Sequence, residues 1–140
     1  MATQPTDPEQ RRNLALVRAG IDAFNRRDAR ALAALSSANL EIRMGGALAV
    51  PVSYRGRAGI ADYFQEQDDH WAYISFEVEE IHALGNRVLV IGTQAARGRA
   101  SGITVRSHEA VLVTIEAGRA TAIQSFRGPG EAVVAAPLAA

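Results

Sequence analysis

The sequence predicts an α+β fold in a single domain of 140 residues, and three observations lead to this prediction. The first is a set of helical patterns within residues 7–69. The second is a series of long apolar runs after residue 73, separated by breaks that carry glycine, which is typical of antiparallel strands. The third is their order, because mostly helices come first and mostly strands follow, without the regular alternation of a parallel α/β sheet.

Three helices are predicted in the first half of the chain. Asp7 can cap the first helix, and Pro8 suits its first turn. Asp28 caps a short second helix, and the third helix occupies residues 56–69. Apolar residues three or four apart define the inward side of each helix. The side chains predicted to face inward are Leu14, Val17, Ile21, Phe24, Leu32, Leu35, Ile60, Tyr63 and Phe64.

Five strands are predicted around and after these helices. The pair Gly85-Asn86 indicates a tight turn, and glycines at 98–102 and at Gly118 indicate the next two turns. Residues 45–51 contain two glycines and a proline and are predicted to form a loop. The predicted strands are Asn39–Met44, Tyr73–Leu84, Arg87–Thr93, Ile103–Glu116 and Ala120–Phe126.

The longest predicted strand is apolar on both of its faces. Val111, Val113 and Ile115 lie on one face, while Ala110 and Leu112 lie on the other. An antiparallel sheet with one face in water should instead alternate apolar and polar residues. We therefore expect a second layer or a second subunit on the other face, and we favour a homodimer through the sheet.

Composition excludes several function classes. The 15 basic and 15 acidic residues cancel, so no large basic surface is expected to bind nucleic acid. The absence of cysteine excludes disulfides, thiolate catalysis and cysteine-ligated metals. The polar segment Met1–Gln10 does not resemble a secretory signal, and no apolar run is long enough for a membrane span, so we expect a cytoplasmic protein. Residues 1–6 are expected to be frayed, and residues 131–140 to form a C-terminal tail.

Seven short motifs occur in an order that is typical of a known family. They are Ala23–Asp28, Leu40–Arg43, Tyr54–Arg57, Gly85–Val88, Gly98–Gly102, Gly118-Arg119 and Glu131-Ala132. Over residues 12–138 the ordered set resembles the SnoaL-like proteins of the nuclear transport factor 2 / ketosteroid isomerase superfamily. The resemblance implies a cone-shaped α+β barrel, in which a curved antiparallel sheet wraps around the three N-terminal helices and encloses a hydrophobic pocket. Such proteins include isomerases, polyketide cyclases, epoxide hydrolases, dehydratases and non-catalytic binders, so the fold alone does not fix the function.

The catalytic positions that the resemblance implies are replaced in this chain. The aspartate base of ketosteroid isomerases corresponds to Arg43, which cannot act as a base at neutral pH. Their oxyanion-hole tyrosine corresponds to Gly20, and their protonated aspartate to Ala110. The histidine and aspartate that many SnoaL-like proteins carry correspond to Val111 and Gly128. The ketosteroid isomerase mechanism is therefore not expected.

Arg43 and His108 are the predicted catalytic residues. If Arg43 and Glu41 point into the pocket, Arg43 could bind a carboxylate or polarise a carbonyl; the alternative is a structural ion pair between the two. His108 shares a strand face with Arg106 and is the best candidate for a general acid or base, because histidine titrates near neutral pH. The alternative for His108 is a hydrogen-bonded residue without a catalytic role. Glu109 is expected to face away, toward the dimer contact.

The predicted ligand-binding residues are Glu41, Tyr54, Tyr63, Trp71 and Arg106. These three aromatic residues, together with Tyr73, could line the mouth of the pocket, with a hydroxyl group to orient a ligand; the alternative is that they belong to the core. No metal site is predicted, because the adjacent acidic residues near the end of the third helix point in different directions.

Two functional hypotheses follow from the sequence. The first is a cofactor-independent enzyme that acts on an apolar carbonyl metabolite by cyclisation, isomerisation or dehydration, with His108 moving the proton and Arg43 stabilising the oxyanion. The alternative is a non-catalytic module that binds a small hydrophobic ligand or only supports a dimer.

Overall fold

The computed structural model describes residues 7–44 and 52–126 and confirms the α+β class. Every predicted helix and strand is present, and one short strand, β2, is additional. The predicted loop at 45–51 and the predicted tail at 131–140 lie outside the described residues, as do residues 1–6. The elements are α1 (Pro8–Asn25), α2 (Ala29–Ala34), β1 (Ser36–Met44), β2 (Val52–Arg55), α3 (Gly56–His70), β3 (Trp71–Leu84), β4 (Arg87–Gly98), β5 (Thr104–Glu116) and β6 (Arg119–Phe126).

The strands form one six-stranded curved sheet in the order β2-β1-β6-β5-β4-β3. Strands β3 to β6 form successive antiparallel pairs, as predicted. Strand β1, however, runs parallel to β6, with Ile42 opposite Ile123. A parallel neighbour needs a long connection, which α3 and the intervening strands supply here. The sheet is therefore antiparallel except at this one pair.

Helices α1 and α2 begin at the predicted caps, and the helices cover one face of the sheet. The Asp7 carboxylate accepts a hydrogen bond from the Glu9 amide at 2.9 Å, and the Asp28 carboxylate accepts one from the Ala31 amide at 3.0 Å. Each bond satisfies an amide that the first turn of a helix leaves unpaired. The core beneath the helices contains Leu14, Val17, Ile60, Phe64, Phe76, Val88, Val90, Val113 and Ile115.

A bulge in β3 bends the sheet and changes which side chains face inward. Strict alternation from Phe76 and Val78 predicts that Leu84 shares their face. A register shift between Val78 and Glu80 adds one residue, so Leu84 is 43% exposed instead. Opposite the bulge, a Cβ atom on Gly92 would lie 2.1 Å from the Glu77 carbonyl oxygen. Only glycine therefore allows the bulged strand to approach this closely.

A second apolar cluster lies on the opposite face of the sheet. Leu89, Ile91, Ala110 and Leu112 are buried there, and Phe126 packs against them. Because these side chains are already buried in a single chain, their burial does not require a second subunit. The homodimer stays a prediction. Within the described residues, no helix is both long and apolar enough to cross a membrane.

Candidate functional site

A cavity of about 110 Å³ lies between the helices and the concave face of the sheet. A single water molecule needs only about 10–15 Å³ of such space, so the cavity has room for a small organic molecule. All three helices and five of the strands contribute to its wall. The wall is apolar over most of its extent, and its side chains include Leu16, Phe24, Leu35, Val90 and Val113.

The polar side chains of the wall are concentrated at one end of the cavity. Ser125 pairs with Val111 across the sheet, Glu109 lies in the next row, and Gln94 lies in the row after that. Tyr63 of α3 contributes a hydroxyl group. At the opposite end Ser36 is polar, but its hydroxyl donates to the Leu32 carbonyl at 2.7 Å. A bound molecule would therefore meet hydrogen-bonding groups at one end and hydrocarbon at the other.

Glu109 is the acidic member of this polar end. Its carboxylate accepts a hydrogen bond of 2.7 Å from the Ser107 hydroxyl, and the side chain is half-buried. Among the described residues of the wall, no other side chain is acidic and none is basic. Among the described wall residues, the cavity therefore offers a ligand one carboxylate and no cationic side chain.

Tyr63 is the corresponding proton donor. It is only 8% exposed, and burial raises the pKa of its phenol well above the ordinary value. The charge of Glu109 raises this pKa further, while a hydrogen bond from Gln67 and the charge of Arg27 lower it. Burial dominates because the phenolate would lose its hydration. The hydroxyl group therefore keeps its proton at neutral pH.

The predicted catalytic arginine lies outside the cavity wall. Arg43 Nε is 2.7 Å from Glu41 Oε1, and Arg55 Nη2 is 2.9 Å from Glu41 Oε2. Leu40 and Ile42 occupy the buried positions of β1, so alternation directs Arg43 and Glu41 to the other face. The expected inward direction is corrected, and the structural ion pair that was the alternative is present.

His108 and Arg106 also lie on the outer face. His108 Nε2 is 3.1 Å from Glu79 Oε1, and 53% of the histidine side chain is exposed. Arg106 is exposed as well. The expected directions in β5 are thus reversed, because the helices cover the face of Val111 rather than that of Ala110. Both faces are apolar, so alternation alone could not identify the inner one, and Glu109 was missed.

Of the four aromatic residues predicted at the pocket, only Tyr63 lines the cavity, and Tyr73 is 57% exposed. The Tyr54 ring packs against Tyr63 with centroids 5.4 Å apart, and its hydroxyl donates to the Glu66 carboxylate. Burial, followed by this carboxylate, raises the pKa of Tyr54 to about 12. Trp71 begins β3 outside the wall, and its carbonyl accepts a hydrogen bond from Arg99. Phe24 and Phe76 are the other aromatic rings of the wall.

Similar folds occur in several solved structures. An NTF2-like protein of unknown function from Burkholderia pseudomallei is 20% identical with a TM-score of 0.73, over 88% of this chain and 95% of that one. A protein with a ketosteroid isomerase-like fold from Catenulispora acidiphila, in complex with trimethylamine, is 16% identical with a TM-score of 0.72, over 81% and 85%. A candidate SnoaL-like polyketide cyclase from Jannaschia is 15% identical with a TM-score of 0.74, over 94% and 95%. At these identities the similarity establishes the fold.

The sequence itself establishes the family. No curated protein matches the chain. The family model described as a SnoaL-like domain matches residues 17–123, which include the second half of α1, the other two helices and all of the strands except the last residues of β6. The chain therefore belongs to the SnoaL-like domain family.

Proposed function

We propose that the protein binds a small, mostly apolar carbonyl compound in the cavity and catalyses a cofactor-independent proton transfer on it. The observation that supports this proposal is the pairing of one acidic side chain, Glu109, with one protonated phenol, Tyr63, at the polar end of an apolar cavity. The predicted reaction class is kept, while the residues that carry it change from Arg43 and His108 to Tyr63 and Glu109.

Glu109 would act as the general base. A carboxylate in an apolar cavity can remove a proton from the carbon next to a carbonyl group, and the electrons of that C–H bond then form the C=C bond of an enol or enolate. Returning the proton to another carbon completes an isomerisation. Attack of the enolate carbon on a second carbonyl forms a C–C bond and an alkoxide, which takes the proton from Glu109 and completes a cyclisation. Loss of a β-hydroxyl group, which takes the same proton and leaves as water while the C=O bond re-forms, gives a dehydration.

Tyr63 would stabilise the oxygen that gains negative charge in this step. Its raised pKa keeps the phenol protonated, so it can donate a hydrogen bond to the carbonyl oxygen. A donor that is fixed in a water-poor site strengthens as the charge develops, which lowers the barrier rather than only improving ground-state binding.

The composition of the wall supports a neutral or cationic ligand over an anionic one. A carboxylate ligand would meet Glu109 without a basic side chain from the described wall to compensate. A like-charge contact in an apolar site is costly. One protein of similar fold was solved in complex with trimethylamine, which is an amine, and another is named as a candidate polyketide cyclase. A neutral carbonyl compound can accept a hydrogen bond from Tyr63 and present a C–H bond to Glu109.

Hydrogen–deuterium exchange of a simple ketone tests the proposal without knowledge of the natural substrate. Cyclohexanone is incubated with the protein in deuterated buffer, and loss of its α-protons is followed by NMR. We expect exchange above the buffer rate, and a decrease of about 10²-fold or more in Glu109→Gln, since this is the usual contribution of a general base. His108→Gln on the outer face is the matched control and should exchange at the unaltered rate.

A non-catalytic binding protein is the second candidate. It is favoured by the small number of polar groups in the wall, where Glu109 is the only acidic side chain among the described residues. Saturable binding of cyclohexanone without exchange above the buffer rate would support this candidate. Failure of the ketone to bind would contradict both candidates for this ligand class.

A further inference from the structure

A chain of hydrogen bonds connects the surface to the Tyr63 hydroxyl. Asp68 Oδ1 accepts from Arg27 Nη2 at 2.8 Å, and Gln67 Oε1 accepts from Arg27 Nη1 at 3.2 Å. Gln67 Nε2 then donates to Tyr63 Oη at 2.8 Å. Neither Arg27 nor Gln67 lines the described wall of the cavity, so Tyr63 is the member of this chain that can contact a ligand.

The donor and the acceptor of each hydrogen bond can be assigned, because the guanidinium group of Arg27 can only donate. A guanidinium group has donors and no acceptor, so the Gln67 atom that faces Arg27 must be the amide oxygen. The amide nitrogen must then face Tyr63, which accepts the hydrogen bond. A phenol has a single proton, and the Gln67 amide nitrogen cannot accept it, because an amide NH2 group is a donor only. Within the described part of the chain, the Tyr63 hydroxyl has no protein acceptor for its own proton.

Arg27 is held in one position from several sides. Its Nη2 also donates to the Phe64 carbonyl at 3.2 Å, and its guanidinium lies 4.7 Å from the centre of the Phe64 ring and 5.5 Å from that of Phe24. These contacts to aromatic faces are favourable for a cation. The backbone of Arg27 has a φ of 58°, in the left-handed region that costs a non-glycine residue energy. A strained backbone with this many side-chain contacts fixes the guanidinium, and hence the Gln67 amide.

We propose that Arg27, acting through Gln67, is a positioning residue that directs the Tyr63 proton into the cavity. Tyr63 is then a donor toward the cavity and selects a ligand with an acceptor atom there, such as the oxygen of a neutral carbonyl group. The identity of the ligand rests on the proposed function, whereas the direction of the hydroxyl proton does not.

The variant Gln67→Glu separates a positioning role from a purely structural one. A glutamate of the same size keeps the contact with Arg27 and can form an ion pair with it. Its second oxygen, however, can accept a hydrogen bond from Tyr63 but cannot donate one to it. A structural role predicts a melting temperature that is equal or higher and a hydroxyl with unchanged hydrogen bonding. The positioning role predicts the same melting behaviour but a hydroxyl turned away from the cavity.

The hydroxyl is observed in the ligand-free protein through the tyrosine doublet of its Raman spectrum, which distinguishes a donating from an accepting phenol. The Tyr63 signal is isolated by subtracting the spectrum of Tyr63→Phe. We expect Tyr63 to change from mainly accepting in the unaltered protein to strongly donating in Gln67→Glu. An identical doublet in both proteins would overturn the proposal.

The effect on a ligand is observed through the infrared carbonyl stretch of carbon-13-labelled cyclohexanone. Binding to the unaltered protein should lower the stretching frequency, and this shift should be lost in Gln67→Glu and in Tyr63→Phe. Arg27→Met should reduce the shift, while Arg26→Met, which removes an exposed neighbouring arginine, should retain it. If Arg27→Met does not fold, Gln67→Glu alone still decides the question.

The two spectra distinguish the two proposals. If cyclohexanone does not bind to the unaltered protein, the proposed function fails for this ligand class, and the Raman doublet still decides the direction of the Tyr63 proton. If the ketone binds and its stretch shifts equally in Gln67→Glu, the positioning role is contradicted while the proposed function stands.

Discussion

The two faces of β5 place similar chemical groups in very different surroundings. On the outer face His108 is exposed and pairs with Glu79 in water. On the inner face the next residue, Glu109, lines an apolar cavity close enough to Tyr63 for its charge to affect that phenol. A charge acts more strongly in the second setting because less water screens it. Histidine is the residue type that the sequence favours for catalysis, but His108 is less suited to it than its neighbour Glu109, because only Glu109 lines the cavity.

The largest expected effect comes from a substitution on the inner face, at Gly92, which pairs with Glu109 across the sheet. Gly92→Ala should lower the free energy of unfolding by about 3 kcal/mol, because the added Cβ atom would meet the Glu77 carbonyl oxygen at 2.1 Å and the Phe76 ring at 2.8 Å. Thr93→Ala, one residue along on the outer face, is the control and should cost about 1 kcal/mol or less. Urea unfolding measures both. Equal losses would show that the bulge does not depend on glycine.

A second prediction concerns alkaline pH. The pKa of Tyr63 is raised in the folded state, so the unfolded chain loses its phenol proton first, near pH 10, and is stabilised relative to the folded chain. Stability should therefore be fully present below pH 10 and decrease above it, by about 1.4 kcal/mol per pH unit for each such tyrosine. Tyr63→Phe should make this decrease less steep in urea unfolding measured across that range. An unchanged slope would contradict the burial of the phenol.

The charge of the ligand provides a further test of whether Glu109 on the inner face, rather than His108 on the outer face, controls binding. Cyclohexylamine should bind about tenfold or more tightly than cyclohexanecarboxylate, because Glu109 attracts the ammonium group and repels the carboxylate. Titration calorimetry measures both affinities. Glu109→Gln should remove the preference, and His108→Gln should leave it in place. A preference for the carboxylate would show that basic groups outside the described wall control the site.

The smallest expected effect is on the outer face. Arg43→Met and His108→Leu should each change the free energy of unfolding by less than about 1 kcal/mol, because the side chains of Arg43 and His108 are 60% and 53% exposed, and contacts made by such exposed groups contribute little. Both variants should also leave ketone exchange unaffected. A loss of several kcal/mol in urea unfolding would instead indicate a structural role that these contacts do not explain.

Local signals in the sequence were sufficient for most of the fold. The caps at Asp7 and Asp28 and the apolar stripe of α1 are confirmed, because each depends on residues within a few positions of one another. Three features depend on distant parts of the chain and were not predicted. They are β2, the parallel pairing of β1 with β6, and the bulge that exposes Leu84.

The candidate site was less predictable, for a specific physical reason. Alternation along β5 separates Glu109 from His108 with certainty, but both of its faces are apolar, and only packing of the helices decides which one is inside. The helices cover the face of β5 that carries the β-branched residues Val111 and Val113. The chain from Arg27 through Gln67 to Tyr63 joins the end of α1 to α3, and no spacing in the sequence indicates it.

The most direct test of the inner face as the functional face is to map bound cyclohexanone by NMR of carbon-13-labelled methyl groups. Methyl groups of both faces are available on the same strand, because Val111 and Val113 line the cavity whereas Leu112 belongs to the outer cluster. We expect saturable shifts for Val111 and Val113, and little change for Leu112 and Leu89. Shifts confined to Leu112 and Leu89 would contradict the account, because the ligand would then occupy the face that carries His108.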